Sequence, residues 1–314
     1  MTWIHLSDPD DARLREAFPS ELHDVAHRVL SRVRDFDEDV FTNLDVHDGY
    51  LIGEIALPVE DDSPDRIGTV GVRVLADFER LVTVIRTPRN IPAGYSVPSL
   101  DSVVTAAGSE GMSVGAAIWS LIDHVTNEVH RQLDDAIDGA SALEAALDSD
   151  DDPPDGARRL ISDLRHTFLA ISSIVQPLLE MTTEIIEDRL DLRQETGDTS
   201  RELFPRETEI RIVDARAKLR HALARANYGS QIMSTLSDNL KEFLAREQAD
   251  AGNRMAAIAS IMLLPTFVVG LYGMNIDPES FPEMGFLNGY LFAWILIAAL
   301  TVAQIAFFRR RRWL

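Results

Sequence analysis

The sequence predicts an α/β domain followed by long helices and two C-terminal transmembrane helices. Short strand-like segments dominate before residue 112, and long stretches with helical spacing of apolar residues follow up to residue 264. Two apolar stretches, 255–272 and 285–308, contain no charged residue. A helix needs about 20 apolar residues to cross a bilayer. Both stretches are therefore predicted to span a membrane.

This reading divides the chain into six parts. They are an α/β domain (1–112), antiparallel acidic helices (113–200), a stalk helix that continues into the first transmembrane helix (201–273), a loop (274–285), a second transmembrane helix (286–308) and a basic tail (309–314).

The first part is predicted to alternate strands with short helices. A helix start is expected at Asp8-Pro9, with a proline at the first helical position, and a helix over 22–33. Asp48-Gly49 has the composition of a hairpin turn between two strands. The strands are expected at 3–6, 40–46, 51–59, 67–75 and 81–85.

The middle of the chain predicts three long helices. Helices are expected over 113–147 and 157–192, joined by a turn that contains five aspartates and two prolines. No proline occurs from residue 206 to 264, which allows a continuous helix of roughly 90 Å. Four apolar residues with a 3-4-3 spacing indicate a packed seam on this helix: Met233, Leu236, Leu240 and Phe243. Gly229 and Gly252 are expected to weaken it by about 1 kcal/mol each.

The charges that flank the transmembrane helices predict their orientation. Four arginines, 309–312, follow the second helix directly, and Arg246 and Arg254 precede the first. The loop between them carries Asp277, Glu279 and Glu283 and no basic residue. Basic residues stay on the cytoplasmic side. Both termini are therefore expected in the cytoplasm of a multi-pass protein of the inner or plasma membrane.

Composition argues against several classes of function. A formal net charge of −21 opposes binding to nucleic acid, because phosphates need a basic surface. The chain has no cysteine, and we find no pairing of a nucleophile with a base, so an enzyme is not expected. His124 and Glu128 have the spacing of two ligands on one helix face, but a pair without further ligands is interpreted as structural.

The segment around residue 270 resembles a known family. Pro265, Thr266, Phe267 and Gly270, then Tyr272-Gly273-Met274-Asn275, and Phe281-Pro282-Glu283-Met284 in the loop, are similar to the CorA family of divalent-cation channels. A subunit with two spans does not enclose a pore alone, so several copies are expected around one axis. The resemblance implies that there are five, a homopentamer.

The resemblance implies that Gly273, Met274 and Asn275 form a selectivity filter. A ring of Asn275 amides would offer neutral oxygens to Mg²⁺, which dehydrates reluctantly and keeps its waters. Tyr272 would support the filter. Asp277, Glu279 and Glu283 would concentrate cations outside it, although ordinary loop solubility explains them equally well.

Helical spacing places four further residues on one face below the filter. These candidate pore-lining residues are Met255, Leu263, Thr266 and Gly270. Leu263 and Met255 would form apolar rings that gate by excluding water. Alternatively, Leu263 and Met255 would contact lipid or another helix. Thr266 would alternatively donate a hydrogen bond to the backbone of its own helix.

The resemblance also implies regulation by Mg²⁺ bound between cytoplasmic domains. An ungapped count from the filter places one acidic ligand at Asp214, and a solvated helix aspartate is the other reading. The same count places Ala249 where family members often have an asparagine at the inner pore entrance, and Asn253 follows one turn later.

The expected function is uptake of Mg²⁺, with Co²⁺ and Ni²⁺ also carried. A zinc transporter of the ZntB branch shares the filter sequence and is the first alternative. A non-conducting membrane-anchored sensor or scaffold is the alternative from another class.

Overall fold

The computed structural model of the chain describes residues 1–17, 24–36, 38, 40–60, 67–91, 99–107, 112–147, 153–190, 192–196, 199–273 and 289–313. The chain divides into two units, Met1–Ser237 and Asp238–Leu314. The boundary lies within one long helix.

A five-stranded sheet forms the centre of the first unit. Its strand order is β1 (Thr2–Ser7), β5 (Arg80–Ile85), β4 (Ile67–Ala76), β3 (Tyr50–Glu60) and β2 (Asn43–His47). β1 pairs with β5 in parallel, and the other pairs are antiparallel. All five predicted strands are confirmed, although the one expected at 40–46 begins three residues later.

The predicted hairpin at Asp48-Gly49 is confirmed. His47 pairs with Tyr50, so only two residues connect β2 to β3. Gly49 has φ of 90°, a conformation that a two-residue turn requires and that glycine adopts without steric cost.

The helix start predicted at Asp8-Pro9 is wrong by two residues. α1 covers Asp11–Ala17, and Asp10 caps it, because its Oδ1 accepts a hydrogen bond from the amide of Arg13 at 2.8 Å. Asp8 instead has φ of 45° and accepts a hydrogen bond from the amide of Thr87 at 2.7 Å. Asp8 therefore fastens the start of the chain to the end of β5.

Helices cover both faces of this sheet. Leu14 and Ala17 of α1, with Ala26 and Leu30 of α2 (Asp24–Ser31), pack against one face. Residues of both alternating sets on β3 are buried, and the next helices, α4 (Val114–Leu147) and α5 (Ala157–Ile186), contact β3 and each other. The short α3 (Asp101–Ala107) contacts β1.

A small hairpin that was not predicted from the sequence follows α5. α5 ends at Ile186 rather than near 192, and β6 (Arg193–Thr196) pairs with β7 (Thr199–Glu202). Both strands are four residues long and polar, so they carry no alternation of apolar residues that would predict a strand.

Two helices complete the chain. α6 covers Arg206–Tyr272 as one helix of 67 residues, so the predicted helix is continuous and runs through Pro265, beginning five residues later than the predicted segment 201–273. Within the predicted seam Met233, Leu236 and Leu240 are buried, while Phe243 is half-buried. α7 covers Gly289–Arg310.

Candidate functional site

Three of the described helices are long and apolar enough to cross a membrane. In α5 the most apolar window is 39% buried, whereas the corresponding windows of α6 and α7 are 11% and 6% buried. α5 packs on α4 and on the sheet, so its apolar residues are explained by the core. Most apolar residues described in the last part of α6 and in α7 are exposed, as on a lipid-facing helix.

A polar contact joins α6 to α7. Gln304 Nε2 of α7 donates to the backbone oxygen of Ser260 at 3.2 Å and lies 3.3 Å from its Oγ. Gln304 was not singled out from the sequence. The sequence did contain an indication, because a glutamine inside an uncharged apolar helix needs a hydrogen-bond partner within the protein.

One stripe of α6 is less exposed than the rest and includes Ser260. Ala257 and Val268 are buried on it, and Asn253 and Leu264 are half-buried. Spacings of three and four residues place them on one side of the helix. Because Ser260 contacts Gln304, this stripe includes the side turned toward α7.

The predicted pore-lining residues lie on the other side of α6. Met255 and Leu263 are 73% and 72% exposed, and Thr266 and Gly270 are also exposed. With 3.6 residues per turn, their mean direction is about 150° around the helix axis from that of the buried stripe. Among the described residues α7 therefore leaves this face uncovered, and its lining of a pore stays a prediction.

The helix backbone near Thr266 is interrupted by Pro265. Proline has no amide hydrogen, so the carbonyl of Ile261 loses its helical partner. The neighbouring carbonyls receive side-chain donors: Gln304 Nε2 reaches that of Ser260, and Thr266 Oγ1 donates to that of Met262 at 2.7 Å. The hydrogen bond of Thr266 to its own helix is thus present, and its oxygen retains acceptor capacity for water.

The filter segment is described only at its start. Tyr272 is the last residue of α6, and the amide of Gly273 donates to the carbonyl of Val269 at 2.9 Å. The other predicted filter and outer-loop residues, Met274, Asn275, Asp277, Glu279 and Glu283, lie outside the described residues.

Asp214, the predicted regulatory ligand, is paired with a cation of its own helix. Its Oδ2 lies 2.9 Å from Lys218 Nζ, and the Asp214 side chain is 67% exposed. The hydrogen bond to Asp214 raises the pKa of Lys218, and Asp123, 3.9 Å from Nζ, adds to the rise. Lys218 is therefore charged at neutral pH and occupies the position next to this carboxylate.

The described residues contain no group of three or more His, Asp and Glu that could hold a metal ion. A cation at Asp214 would thus need ligands from outside this set. Glu128, considered above with His124, is bound to Arg131 and accepts from Gln132 Nε2 at 3.0 Å. Burial lowers the pKa of His124 against the attraction of Asp123.

Comparison with curated proteins finds similar chains among metal-ion transport proteins. The "Cobalt/magnesium transport protein CorA" of Thermotoga maritima is 23% identical over 198 residues, which cover 63% of this chain and 52% of that protein. The match thus spans about half the length of that relative. The "Zinc transport protein ZntB" of Enterobacter sp. (strain 638) is 23% identical over 321 residues, covering 99% of this chain and 88% of that protein.

A solved structure and a family profile extend the similarity to the whole chain. The complete structure of the CorA magnesium transporter from Methanocaldococcus jannaschii superposes with a TM-score of 0.71 at 14% identity, covering 99% of this chain and 91% of that one. At this identity the match concerns the fold. The profile described as "CorA-like Mg2+ transporter protein" matches residues 1–311. The chain therefore belongs to the CorA-like Mg²⁺ transporter family.

Proposed function

We propose that this chain is one subunit of a homopentameric channel that admits Mg²⁺ to the cytoplasm, with Co²⁺ and Ni²⁺ also carried. The observation that carries the proposal is the uncharged face of α6 with exposed Met255, Leu263, Thr266 and Gly270, which leads directly to Gly273. Family membership supports the same reading. The protein conducts an ion and catalyses no chemical reaction.

The oligomer follows from what one chain leaves exposed. A single α6 does not enclose a pore, and α7 lies on the far side of its candidate face. Copies of α6 around a shared axis would bring the four pore-lining residues together. α7 would then form the outer, lipid-facing layer, with the loop outside the cell membrane and both termini in the cytoplasm.

Selectivity is assigned to the filter residues Gly273, Met274 and Asn275. Amide oxygens of Asn275 would bind the water shell of Mg²⁺ without trapping the ion as carboxylates would. Tyr272 ends α6 directly before them and would hold the ring in place. Asp277, Glu279 and Glu283 would raise the cation concentration at the entrance.

Closure is assigned to apolar rings and to a cytoplasmic cation. Leu263 and Met255 would exclude water from the closed pore. Asp214 is the proposed regulatory ligand for Mg²⁺, in competition with Lys218 and together with a ligand from another subunit. This part of the proposal rests on the sequence position of Asp214.

Zinc transport is the second candidate. It is favoured by the similarity to a protein named as a zinc transporter over 99% of this chain. Uptake of Mg²⁺, Co²⁺ and Zn²⁺ into proteoliposomes, each with and without a proton gradient, separates the two. Mg²⁺ entry without a proton gradient supports the channel, and Zn²⁺ entry that needs one supports the second candidate.

Two sets of variants test the pore itself. Asn275→Ala should abolish uptake while the oligomer still forms, and Asn239→Ala on the exposed side of α6 is the control. Because the chain contains no cysteine, single cysteines can be introduced directly. Leu263→Cys should make uptake sensitive to a charged thiol reagent, whereas Val268→Cys on the buried stripe should not. Flux by Asn275→Ala, or equal block of both cysteine variants, would refute the assignment, as would a lack of ion flux in the wild type.

A further inference from the structure

A groove in the first unit is not used by the proposed function. It has a volume of about 490 Å³ and lies between α2 and the β2–β3 edge of the sheet. Asn43, Asp45 and His47 of β2 stand opposite Glu54, Ile52 and Tyr50 of β3, so all six lie on the same face. We call it the β2–β3 groove. Its volume is in the range of small-molecule sites.

One end of the β2–β3 groove is formed by a buried ion-pair cluster. Glu54 is 5% exposed and forms ion pairs with two guanidinium groups. Arg34 Nη1 lies 2.6 Å from its Oε2, and Arg73 Nε lies 3.6 Å from its Oε1. Two cations thus share one carboxylate. Arg73 also donates to the carbonyl of Leu30 at the end of α2, at 3.4 Å.

Arg34 keeps hydrogen-bonding capacity at the groove. Its Nε and Nη1 are buried, and neither has a well-aligned hydrogen-bond acceptor among the described residues. Both are within ion-pair distance of a carboxylate: Nη1 lies 2.6 Å from Glu54 Oε2, and Nε lies 3.9 Å from Glu38 Oε1. A buried donor without an aligned acceptor is unfavourable, because it has lost its hydrogen bonds to water. A ligand that brings acceptor oxygens to Arg34 would offset that loss.

The electrostatic balance of the cluster also favours an anion. Burial lowers the pKa of Arg73, Glu54 opposes this, and the repulsion of Arg34, Arg86 and Arg32 lowers it further. Glu54 faces Arg34 and Arg73, and Glu38 faces Arg32 and Arg34, so two carboxylates stand among four guanidinium groups whose mutual repulsion is not fully compensated. An added negative charge at Arg34 would relieve it.

The other end of the groove is aromatic and apolar. The rings of His47 and Tyr50 are stacked with centroids 5.3 Å apart, next to the hairpin turn. Ala26 and Val29 of α2 line the opposite wall. From residue 43 to residue 47 the strand spans about 13 Å. The groove therefore offers positive charge at one end and a surface for a planar or apolar group at the other.

We propose that the β2–β3 groove binds a small organic anion, with its carboxylate or phosphate at Arg34 and its apolar or aromatic body along Val29, Tyr50 and His47. Between the two ends Asn43 Nδ2 donates to Asp45 Oδ2 at 3.1 Å, and both side chains remain exposed. They add a place for a hydroxyl or amino group of the ligand. The site uses none of the residues assigned to conduction, so this proposal does not depend on the proposed function.

Calorimetric titration of the full-length protein in detergent micelles tests this site, with empty micelles as the blank. The probes are phenyl phosphate, benzoate, inorganic phosphate and the cation benzylamine. Phenyl phosphate or benzoate should bind at one site per chain with a Kd below about 1 mM, more tightly than inorganic phosphate, and benzylamine should not bind. The pair of organic anions distinguishes a phosphate from a carboxylate ligand.

Matched variants locate the binding. Arg34→Gln removes the donors, and Val29→Phe fills the groove from α2; each should weaken binding about tenfold or more. Arg32→Gln removes an exposed guanidinium, and Val46→Phe adds the same bulk on the other face of β2; both should stay within about twofold of the wild type. The proposal is overturned if neither organic anion binds at an anion concentration of about 10 mM. It is also overturned if benzylamine binds as tightly as the anions, or if the two pairs of variants change the affinity equally.

Discussion

Gly229 of α6 lies against the ring of Phe168 in α5. A Cβ atom at residue 229 would lie 2.4 Å from Cε1 and 2.5 Å from Cζ of that ring, and Phe168 is fully buried. The glycine that the sequence suggested as a weak point of the helix therefore permits close contact between two long helices. Asn227 and Ser172 form a hydrogen bond beside it, with 3.3 Å between Oδ1 and Oγ.

Gly229→Ala should destabilise the first unit by about 1–3 kcal/mol, because the buried ring has no space to move away. The gain in helix propensity, about 1 kcal/mol, is smaller than this loss. Chemical denaturation followed by circular dichroism measures the difference. Gly252→Ala is the control, since no described residue beyond its own helix backbone lies within 4 Å of the added Cβ. Equal stability of the two variants would contradict the contact.

Gln304→Leu should weaken the association of α6 with α7. The variant removes both contacts of Gln304 with Ser260, which in a membrane are worth about 1 kcal/mol. Thermal unfolding of the purified protein in micelles measures the loss. Gln231→Leu, on an exposed part of α6, makes the same chemical change and should leave the transition temperature unchanged. A rise in stability of Gln304→Leu would show that the pair is not formed.

Lys218→Met should make uptake more sensitive to cytoplasmic Mg²⁺ if Asp214 is a regulatory ligand. The charged amine competes with a metal ion for that carboxylate, and an exposed pair of this kind changes affinity roughly twofold to fivefold. The measurement is the internal Mg²⁺ concentration that halves flux into proteoliposomes. Lys241→Met breaks the comparable pair with Asp238 and serves as the control. An unchanged half-inhibition value would remove Asp214 from the regulatory site.

His124→Gln should reduce the loss of stability in mild acid. Burial lowers the pKa of His124 below its ordinary value of 6.5, so the folded state binds fewer protons than the unfolded state. Stability is then fully present above pH 6.5 and falls as the pH drops toward the lowered pKa. Unfolding midpoints from pH 7.5 to 5.5 should fall less steeply in the variant. A steeper fall in the variant would reverse the sign and refute the interpretation.

Much of the fold follows from local sequence patterns. The strands of the sheet contain apolar, β-branched residues, which favour strands. The pair Asp48-Gly49 between two such segments is typical of a two-residue hairpin turn. The hairpin of β6 and β7 was missed because its residues are polar. The start of α1 was misplaced because Asp8, Pro9 and Asp10 carry overlapping capping signals, and the bond from Asp8 to Thr87 depends on a residue 79 positions away.

The candidate site was predictable only in part. Helical spacing was enough to place Met255, Leu263, Thr266 and Gly270 on one face, since a helix has a fixed period. The contact of Gln304 with Ser260 depends on how two helices cross, which spacing does not determine. The groove at Arg34 joins residues from α2, β2 and β3, and only the folded sheet brings them together.

The missing backbone donor at Pro265 has a consequence for the proposed pore. The helix lacks one backbone hydrogen bond at the carbonyl of Ile261. The carbonyls on either side, of Ser260 and Met262, accept side-chain hydrogen bonds from Gln304 and Thr266. A bend at this depth thus exposes less unpaired backbone to hydrocarbon than a bend elsewhere in the span. In the proposed channel, Pro265 would act as a hinge below the filter residues, and tilting of the segment above it would be a low-cost way to change the width of the pore mouth.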